Sequence, residues 1–414
     1  MTSPKQIVDS VSSSQEELDT AGSDTQVIEP DNHVNSGEIG REIIKAAPNQ
    51  ELANADKKAF SEESAFRKDL ANRFCAKPFE FFEVASNGDA LCCCWQWLPK
   101  TIGNLHDNDL MEIWNSESIR EIRASILDGS FKYCREKVCP EIQNGGLPYR
   151  NEISDPDLQE IIRNGSTVLK KKPKMLNLAY DRSCNLSCPS CRTEQIVIKG
   201  KEYDEKHHLQ ERLLADGLED ARTLVVTGSG DPFASKLYRD LLTNLDAEEY
   251  PQLRVKLMTN GQLFTPQAWE KWKKSHKLIV EVQVSMDAAS EETYRIVRRG
   301  GNFQNLLVNL EFIATLRRQG DLEWVRTDFV VQKTNYKEMK AYVEFSKHFG
   351  FDVAGFSMIN NWGTFGPEEF DVQTIHNPAH PEHHQFLEVL KDPIFDDPIV
   401  YLGNLTEFKM AARQ

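Results

Sequence analysis

Three cysteines in one short loop, Cys184-Asn-Leu-Ser-Cys188-Pro-Ser-Cys191, constrain this chain more than any other stretch. Intervals of three and two residues let three thiolates wrap three corners of a [4Fe–4S] cube, and soft thiolate donors suit such clusters. The fourth iron then has no protein ligand and stays open to a small molecule. Zinc is the competing reading, but it wants a fourth ligand nearby, and no Cys or His follows Cys191 until His207. A Cys-x-x-Cys redox pair accounts for Cys188 and Cys191 and leaves Cys184 unexplained.

The loop lies at the start of a regular alternation. Strand candidates are Met175–Tyr180, Thr223–Thr227, Arg254–Thr259, Leu278–Met286, Trp324–Lys333 and Val353–Ile359. Helical stretches fall between them, among them Lys201–Asp216, Pro266–Ser275 and Phe303–Arg318. Six β–α pairs predict an α/β fold with a parallel sheet.

Upstream, residues 75 to about 150 form a cysteine-bearing unit. It reads as a strand Phe79–Val84, a turn Ser86-Asn87-Gly88-Asp89, a returning strand Ala90–Trp95 and one helix from Asp109 to Leu127. Residues 150–172 read as a connector. Residues 1 to about 65 are rich in Ser, Asp, Glu, Asn and Gln and are expected to be disordered, with a short helix conceivable at 40–47. A helical run from 61 to 74 leads into the first unit. The predicted organisation is therefore a disordered segment 1–65, a small α+β auxiliary unit 66–150, an α/β core 170–360, and a tail 361–414 covering the core.

Composition narrows the partners. The 414 residues carry a net charge of −15, which argues against a general nucleic-acid surface. No window approaches a membrane span, and the polar N-terminus is not a secretory signal. Nine cysteines in three tight groups suit metal binding in a reducing compartment. A cytoplasmic location is expected.

Around the triplet lie further features. Thr227-Gly228-Ser229-Gly230-Asp231-Pro232 closes the second core strand with small residues that let a ligand approach the backbone. In Val280-Glu281-Val282-Gln283-Val284-Ser285-Met286-Asp287, alternation puts Glu281, Gln283, Ser285 and Asp287 on one polar face. Asp287 reads either as part of that face or as a cap on the next helix. Thr259-Asn260-Gly261 reads as a turn or as a ligand-facing segment.

Together, the triplet, the glycine turn and the Ser-x-Asp ending resemble the radical S-adenosylmethionine (SAM) superfamily. The resemblance implies a curved (βα)6 partial TIM barrel in place of a flat sheet. It implies that Cys184, Cys188 and Cys191 hold a [4Fe–4S] cluster whose open iron chelates SAM. Gly228, Ser229, Gly230 and Asp231, with Ser285, would contact SAM. The position before the third motif cysteine is often aromatic in this family and is Ser190 here, which removes a stacking contact to adenine.

The run Cys75…Asn87-Gly88-Asp89-Ala90-Leu91-Cys92-Cys93-Cys94…Ile102-Gly103-Asn104-Leu105…Glu112-Ile113-Trp114…Cys134…Cys139-Pro140 resembles the SPASM auxiliary-cluster domain. The family places a cysteine four residues past the hairpin glycine, which implies one auxiliary [4Fe–4S] cluster on Cys75, Cys93, Cys134 and Cys139. Cys94 is the rival ligand, Cys92 reads as a buried thiol, and a four-thiolate zinc knob is the competing metal site. SPASM units usually follow the barrel, whereas this one precedes it.

The implied activity is reductive cleavage of SAM to a 5′-deoxyadenosyl radical, hydrogen abstraction from a substrate, and oxidoreductase-type chemistry. A peptide substrate is expected. A sugar or other small metabolite is the alternative, and a non-catalytic electron carrier ranks below both. The electron donor would be a flavodoxin or ferredoxin. His376, His380, His383 and His384 in the tail read as a surface loop in preference to a metal site, and Trp362 as a cover for the barrel mouth or as packing.

Overall fold

The computed structural model describes residues 67–413. The expected disordered segment and its helix near residue 40 lie outside these residues. Of the helical run expected at 61–74, the described part is a 3-10 turn, Arg67–Asn72.

The framework is one ten-stranded sheet in the order β10-β9-β8-β7-β6-β5-β4-β1-β2-β3. The strands are β1 (Phe81–Ala85), β2 (Asp89–Leu91), β3 (Gly103–Asn104), β4 (Met175–Ala179), β5 (Thr223–Val226), β6 (Arg254–Thr259), β7 (Ile279–Ser285), β8 (Trp324–Val331), β9 (Val353–Met358) and β10 (Val400–Tyr401). From β4 to β9 the strands pair in chain order and in parallel, each joined to the next through a helical connection. These are the six expected strands, and the mostly parallel α/β sheet is that of a partial barrel.

β4 and β5 are mostly buried and apolar, whereas β6, β7 and β8 alternate buried residues with half-buried or exposed ones. In β4, Leu176 and Leu178 are fully buried. Leu176 packs under the helix Gly200–Gly217, where a Cβ on Gly217 would meet it at 2.7 Å. Helix ends are set by local chemistry. Asn302 caps Phe303–Gln319 by accepting from the Asn305 N–H, and Gly320 ends it at φ 84°.

The cysteine-bearing unit joins the same sheet. β1 lies parallel to β4 in the register Glu83↔Asn177, and β2 and β3 extend the edge as an antiparallel meander. Hydrogen-bonded pairing therefore runs continuously across the residues between the two cysteine groups. At the far edge β10 pairs with β9. The segment after β10 returns to the cysteine unit, where the Asn144 amide donates to the Gly403 carbonyl at 3.0 Å.

Several local expectations are corrected. Phe79 and Glu80 belong to a helical turn, Lys77–Glu80, started by Pro78, so the strand begins at Phe81. The returning strand stops at Leu91, before the three consecutive cysteines. The single helix Asp109–Leu127 is two, Leu110–Trp114 and Glu117–Leu127, because Ser116 caps the second through the Ile119 N–H. The helix expected over Pro266–Ser275 ends at Glu270. The connector contains a helix, Pro156–Asn164, started by Asp155 and stopped by Gly165 at φ 62°.

Candidate functional site

The three motif thiols sit beyond the C-terminal end of β4. The chain leaves that strand through a pinned segment. Asp181 is 1% exposed; its carboxylate accepts from the Ser183 N–H and the Ser235 hydroxyl, and its N–H donates to Tyr238. A bridge to Ile196 then fixes Cys184, and a tight turn brings the Cys191 N–H to the Cys188 carbonyl at 2.9 Å. Cys184 and Cys188 are buried, and Cys191 packs against them. All three are free thiols.

Each thiol also meets one nitrogen donor from a different segment. Asn260 Nδ2 lies 3.6 Å from Cys184 Sγ, Arg298 Nη1 lies 3.8 Å from Cys188 Sγ, and Arg192 Nη2 lies 3.4 Å from Cys191 Sγ. Burial pushes the Cys184 thiol up to about 11 and raises that of Cys188. Ligation by these sulfurs therefore releases protons, and the flanking donors stabilise the thiolate forms.

The glycine turn after β5 lies against this loop. A Cβ on Gly230 would stand 2.6 Å from the Asp181 carbonyl oxygen and 2.7 Å from that of Ser183, so only glycine fits. The Ser229 hydroxyl donates to the Ala179 carbonyl at 2.7 Å. Asp231 is fully buried, and its carboxylate accepts from the Thr259 hydroxyl, the Asn260 N–H and the Phe233 N–H. The Asp231 side chain thus ties the Thr259-Asn260-Gly261 turn to the glycine turn. Its three protein donors account for it without a ligand.

The polar face of β7 is present. Glu281, Gln283 and Ser285 are half-buried and alternate with buried Val282 and Val284. Asp287 leaves that face: at φ 59° its carboxylate accepts from the Val330 N–H and pairs with Arg298 at 2.8 Å. It does not cap the next helix, which Ser290 does.

The sequence reading missed the rest of the inner wall. Lys256 pairs with Glu281, and Arg326 pairs with Asp328. Asn177 donates to Glu83 at 2.6 Å and lies beneath Gly228, whose Cβ would stand 3.2 Å from its amide nitrogen. Burial pushes the Glu83 carboxyl up to about 7, against the lowering effect of Asn177 and Lys77. Asn177 Oδ1, Asp328 Oδ2 and Arg298 Nε are buried with no protein partner. Such atoms call for a polar ligand or water. A polar residue inside each otherwise apolar strand was the available signal.

A second group of thiols lines a cavity in the N-terminal unit. Cys75, Cys93, Cys134 and Cys139 ring it, with Lys77, Trp97, Phe131 and Ile142 among the other walls. Cys92 is fully buried, and neither it nor Cys94 lines this cavity. Burial holds the Cys75 thiol up near 11 and raises those of Cys93, Cys134 and Cys139. Among the described residues, no three His, Cys, Asp or Glu side chains converge closely enough to hold a single metal ion.

Residues 181–345 match the model of the radical SAM superfamily, and residues 75–140 match that of SPASM, an iron–sulfur cluster-binding domain. The chain belongs to the radical SAM superfamily. Its SPASM region lies N-terminal to its radical SAM region, and the superfamily is one that uses a [4Fe–4S] cluster and SAM. The residues present fit them: two buried thiols and a partly buried third, each with a nitrogen donor, stand beside a turn that excludes any side chain at Gly230.

The chain is 27% identical over 188 residues to an AdoMet-dependent heme synthase of Methanosarcina barkeri (strain Fusaro / DSM 804), covering 43% of this chain and 48% of that protein. It therefore spans about half the length of that curated relative. Among solved structures it is similar to SuiB of Streptococcus suis bound to the precursor peptide SuiA, at 15% identity and a TM-score of 0.40, covering 80% of this chain and 73% of that one. It is also similar to anSMEcpe with bound AdoMet and Kp18Cys peptide, at 16% identity and a TM-score of 0.32, covering 53% and 60%.

The tail histidines do not gather as ligands. His380 and His383 bond to the carbonyls of Val372 and Ile375, and His376 and His383 pack on Phe408. Burial brings the His376 imidazole down to about 4. Trp362 is 49% exposed. Among the described residues no helix is long and apolar enough to cross a membrane.

Proposed function

We propose that Cys184, Cys188 and Cys191 hold the SAM-binding cluster and that Gly228, Ser229, Gly230, Asp231 and Ser285 form the SAM pocket, Asp231 through its backbone and its hold on the Asn260 turn. Cys75, Cys93, Cys134 and Cys139 hold one auxiliary [4Fe–4S] cluster. The observation that carries this reading is the grouping of the thiols: three on one loop beside the glycine turn, four around one separate cavity.

The bound cluster supplies an electron that cleaves SAM and gives a 5′-deoxyadenosyl radical. The chain's own residues do the rest. The glycine turn admits the ligand, and the inner wall of Glu83, Asn177, Gln283, Arg326 and Asp328 binds a polar substrate and excludes bulk water. A cluster held by Cys75, Cys93, Cys134 and Cys139 would supply a substrate anchor or an electron acceptor. We infer a peptide substrate from the SPASM domain. The match to a heme synthase favours a second reading, oxidation of a small metabolite. The electron donor would be a flavodoxin or ferredoxin.

The test is anaerobic reconstitution followed by dithionite reduction with SAM. Wild type should form 5′-deoxyadenosine and Cys188→Ala should not. Wild-type protein with full iron and no 5′-deoxyadenosine under any reductant refutes the assignment of these residues. Mass spectrometry of encoded precursor peptides and of small metabolites after turnover separates the two substrate readings.

A further inference from the structure

Arg192, the residue after the third motif thiol, has a side chain whose placement the sequence reading did not use. Arg192 is 6% exposed, so its guanidinium is a cation taken out of water. Such a group needs hydrogen-bond partners and a compensating negative charge. The structure supplies the hydrogen-bond partners. Nη1 donates to the Arg182 carbonyl at 2.6 Å, and Nη2 donates to the Ser229 carbonyl at 2.6 Å and approaches Cys191 Sγ at 3.4 Å. The two carbonyls are neutral. The anionic counterparts that bear on this guanidinium are the sulfurs of Cys191, Cys184 and Cys188.

The planar fork thereby spans three segments: the entry to the thiol loop at Arg182, its exit at Cys191, and the glycine turn at Ser229. No point-charge side chain reaches all three, because a fork carries donors in fixed, divergent directions. Arg298 differs in having its own carboxylate, Asp287, at 2.8 Å. Asn260, the third thiol neighbour, is uncharged. Arg192 is thus a thiol-facing cation whose compensation comes from the thiolates themselves, and unlike the neighbouring Arg182 guanidinium, which also bears on Cys191, it donates to the glycine turn.

Building on the reading that the three thiols ligate the SAM-binding cluster, we propose that Arg192 is a positioning residue that couples cluster and SAM pocket. Its charge stabilises the more negative, reduced state of the thiolate-bound cluster and so raises its reduction potential. Its hydrogen bond to Ser229 fixes the glycine turn at the distance from the thiols that SAM must bridge.

The experiment compares wild type with Arg192→Lys, Arg192→Gln and Arg192→Met after anaerobic reconstitution. It measures iron content, SAM affinity by equilibrium dialysis, and the potential of the SAM-binding cluster by EPR-monitored redox titration. In Arg192→Gln and Arg192→Met the reduced-to-oxidised ratio at fixed potential should fall at least tenfold, a shift of about 59 mV for one electron. SAM should bind at least tenfold more weakly. Arg192→Lys should keep most of the potential and lose most of the SAM affinity, because it keeps the charge and not the fork. Loss of iron in the Gln and Met variants with retention in Lys supports the same role. Wild-type potential and SAM affinity in Arg192→Met overturn it. Equal loss of iron in all three variants, Lys included, reduces Arg192 to a brace for the loop and also overturns it. Wild-type protein that binds no iron at Cys184, Cys188 and Cys191 would instead refute the functional reading.

Discussion

Replacing Glu83 by Gln tests the inner wall without knowledge of the substrate. Glu83 lies on β1 with its carboxyl turned toward Asn177, and burial moves it from 4.5 to about 7. A carboxyl whose folded value is raised favours folding fully below its unfolded value and loses that contribution as pH rises through the folded value. The window is therefore pH 4.5 to about 7, with stability declining upward. The size is about 3 kcal/mol at most, because Glu83 is half-buried and solvent screens part of the effect. Glu83→Gln keeps the shape and cannot ionise. Relative to wild type, the variant should gain stability progressively between pH 5 and pH 8. The assay is the denaturation midpoint of cluster-free protein across that range, so that iron does not titrate alongside. Asn177→Ala should move the wild-type inflection upward, since the Asn177 amide favours the ionised form. A stability difference between wild type and Glu83→Gln that is flat with pH would show that this carboxyl is solvated, and the reasoning about a dry, polar inner wall would fail.

Three further outcomes are expected. Cys139→Ala should lose about half of the roughly eight irons of two cubane clusters while still making 5′-deoxyadenosine; one zinc per chain in place of the second cluster would support a zinc knob. Gly230→Val should abolish SAM binding and cost about 1–3 kcal/mol of stability, because a Cβ there meets two backbone carbonyls; unchanged SAM dialysis would count against the pocket. Asp231→Ala should destabilise the protein by about 3 kcal/mol, since it strands the donors of Thr259, Asn260 and Phe233; a wild-type melting temperature would remove its latch role.

What the sequence revealed and what it concealed follow from the range of the forces involved. The six core strands were readable because apolar runs and turn residues are local. The triplet and the glycine turn were readable because ligand spacing is local too. The pairing of β1 with β4 was not, since it joins residues 94 apart in the chain through backbone groups that carry no sequence label. The same holds for Asp287, which pairs with Arg298, and for Glu83, Asn177 and Arg192, ordinary polar residues until the fold brings their partners to them. The helix break at Ser116 was legible in principle, because a serine three residues before the Ile119 N–H it caps is a local signal.

The return of the chain from β10 to the cysteine unit bears on the order in which the protein is made. The four cavity thiols leave the ribosome early, and β4, the strand that pairs with β1 of their unit, begins at Met175, after the last of them. The Asn144–Gly403 contact joins residues 259 apart, so this edge of the unit is completed only after the whole barrel has been synthesised. Domains fold as they emerge, from the N-terminal side. Until residues 400–405 are made, the face of the unit at Asn144 lacks that contact. The unit made first therefore completes its packing only when the far edge of the sheet has been made.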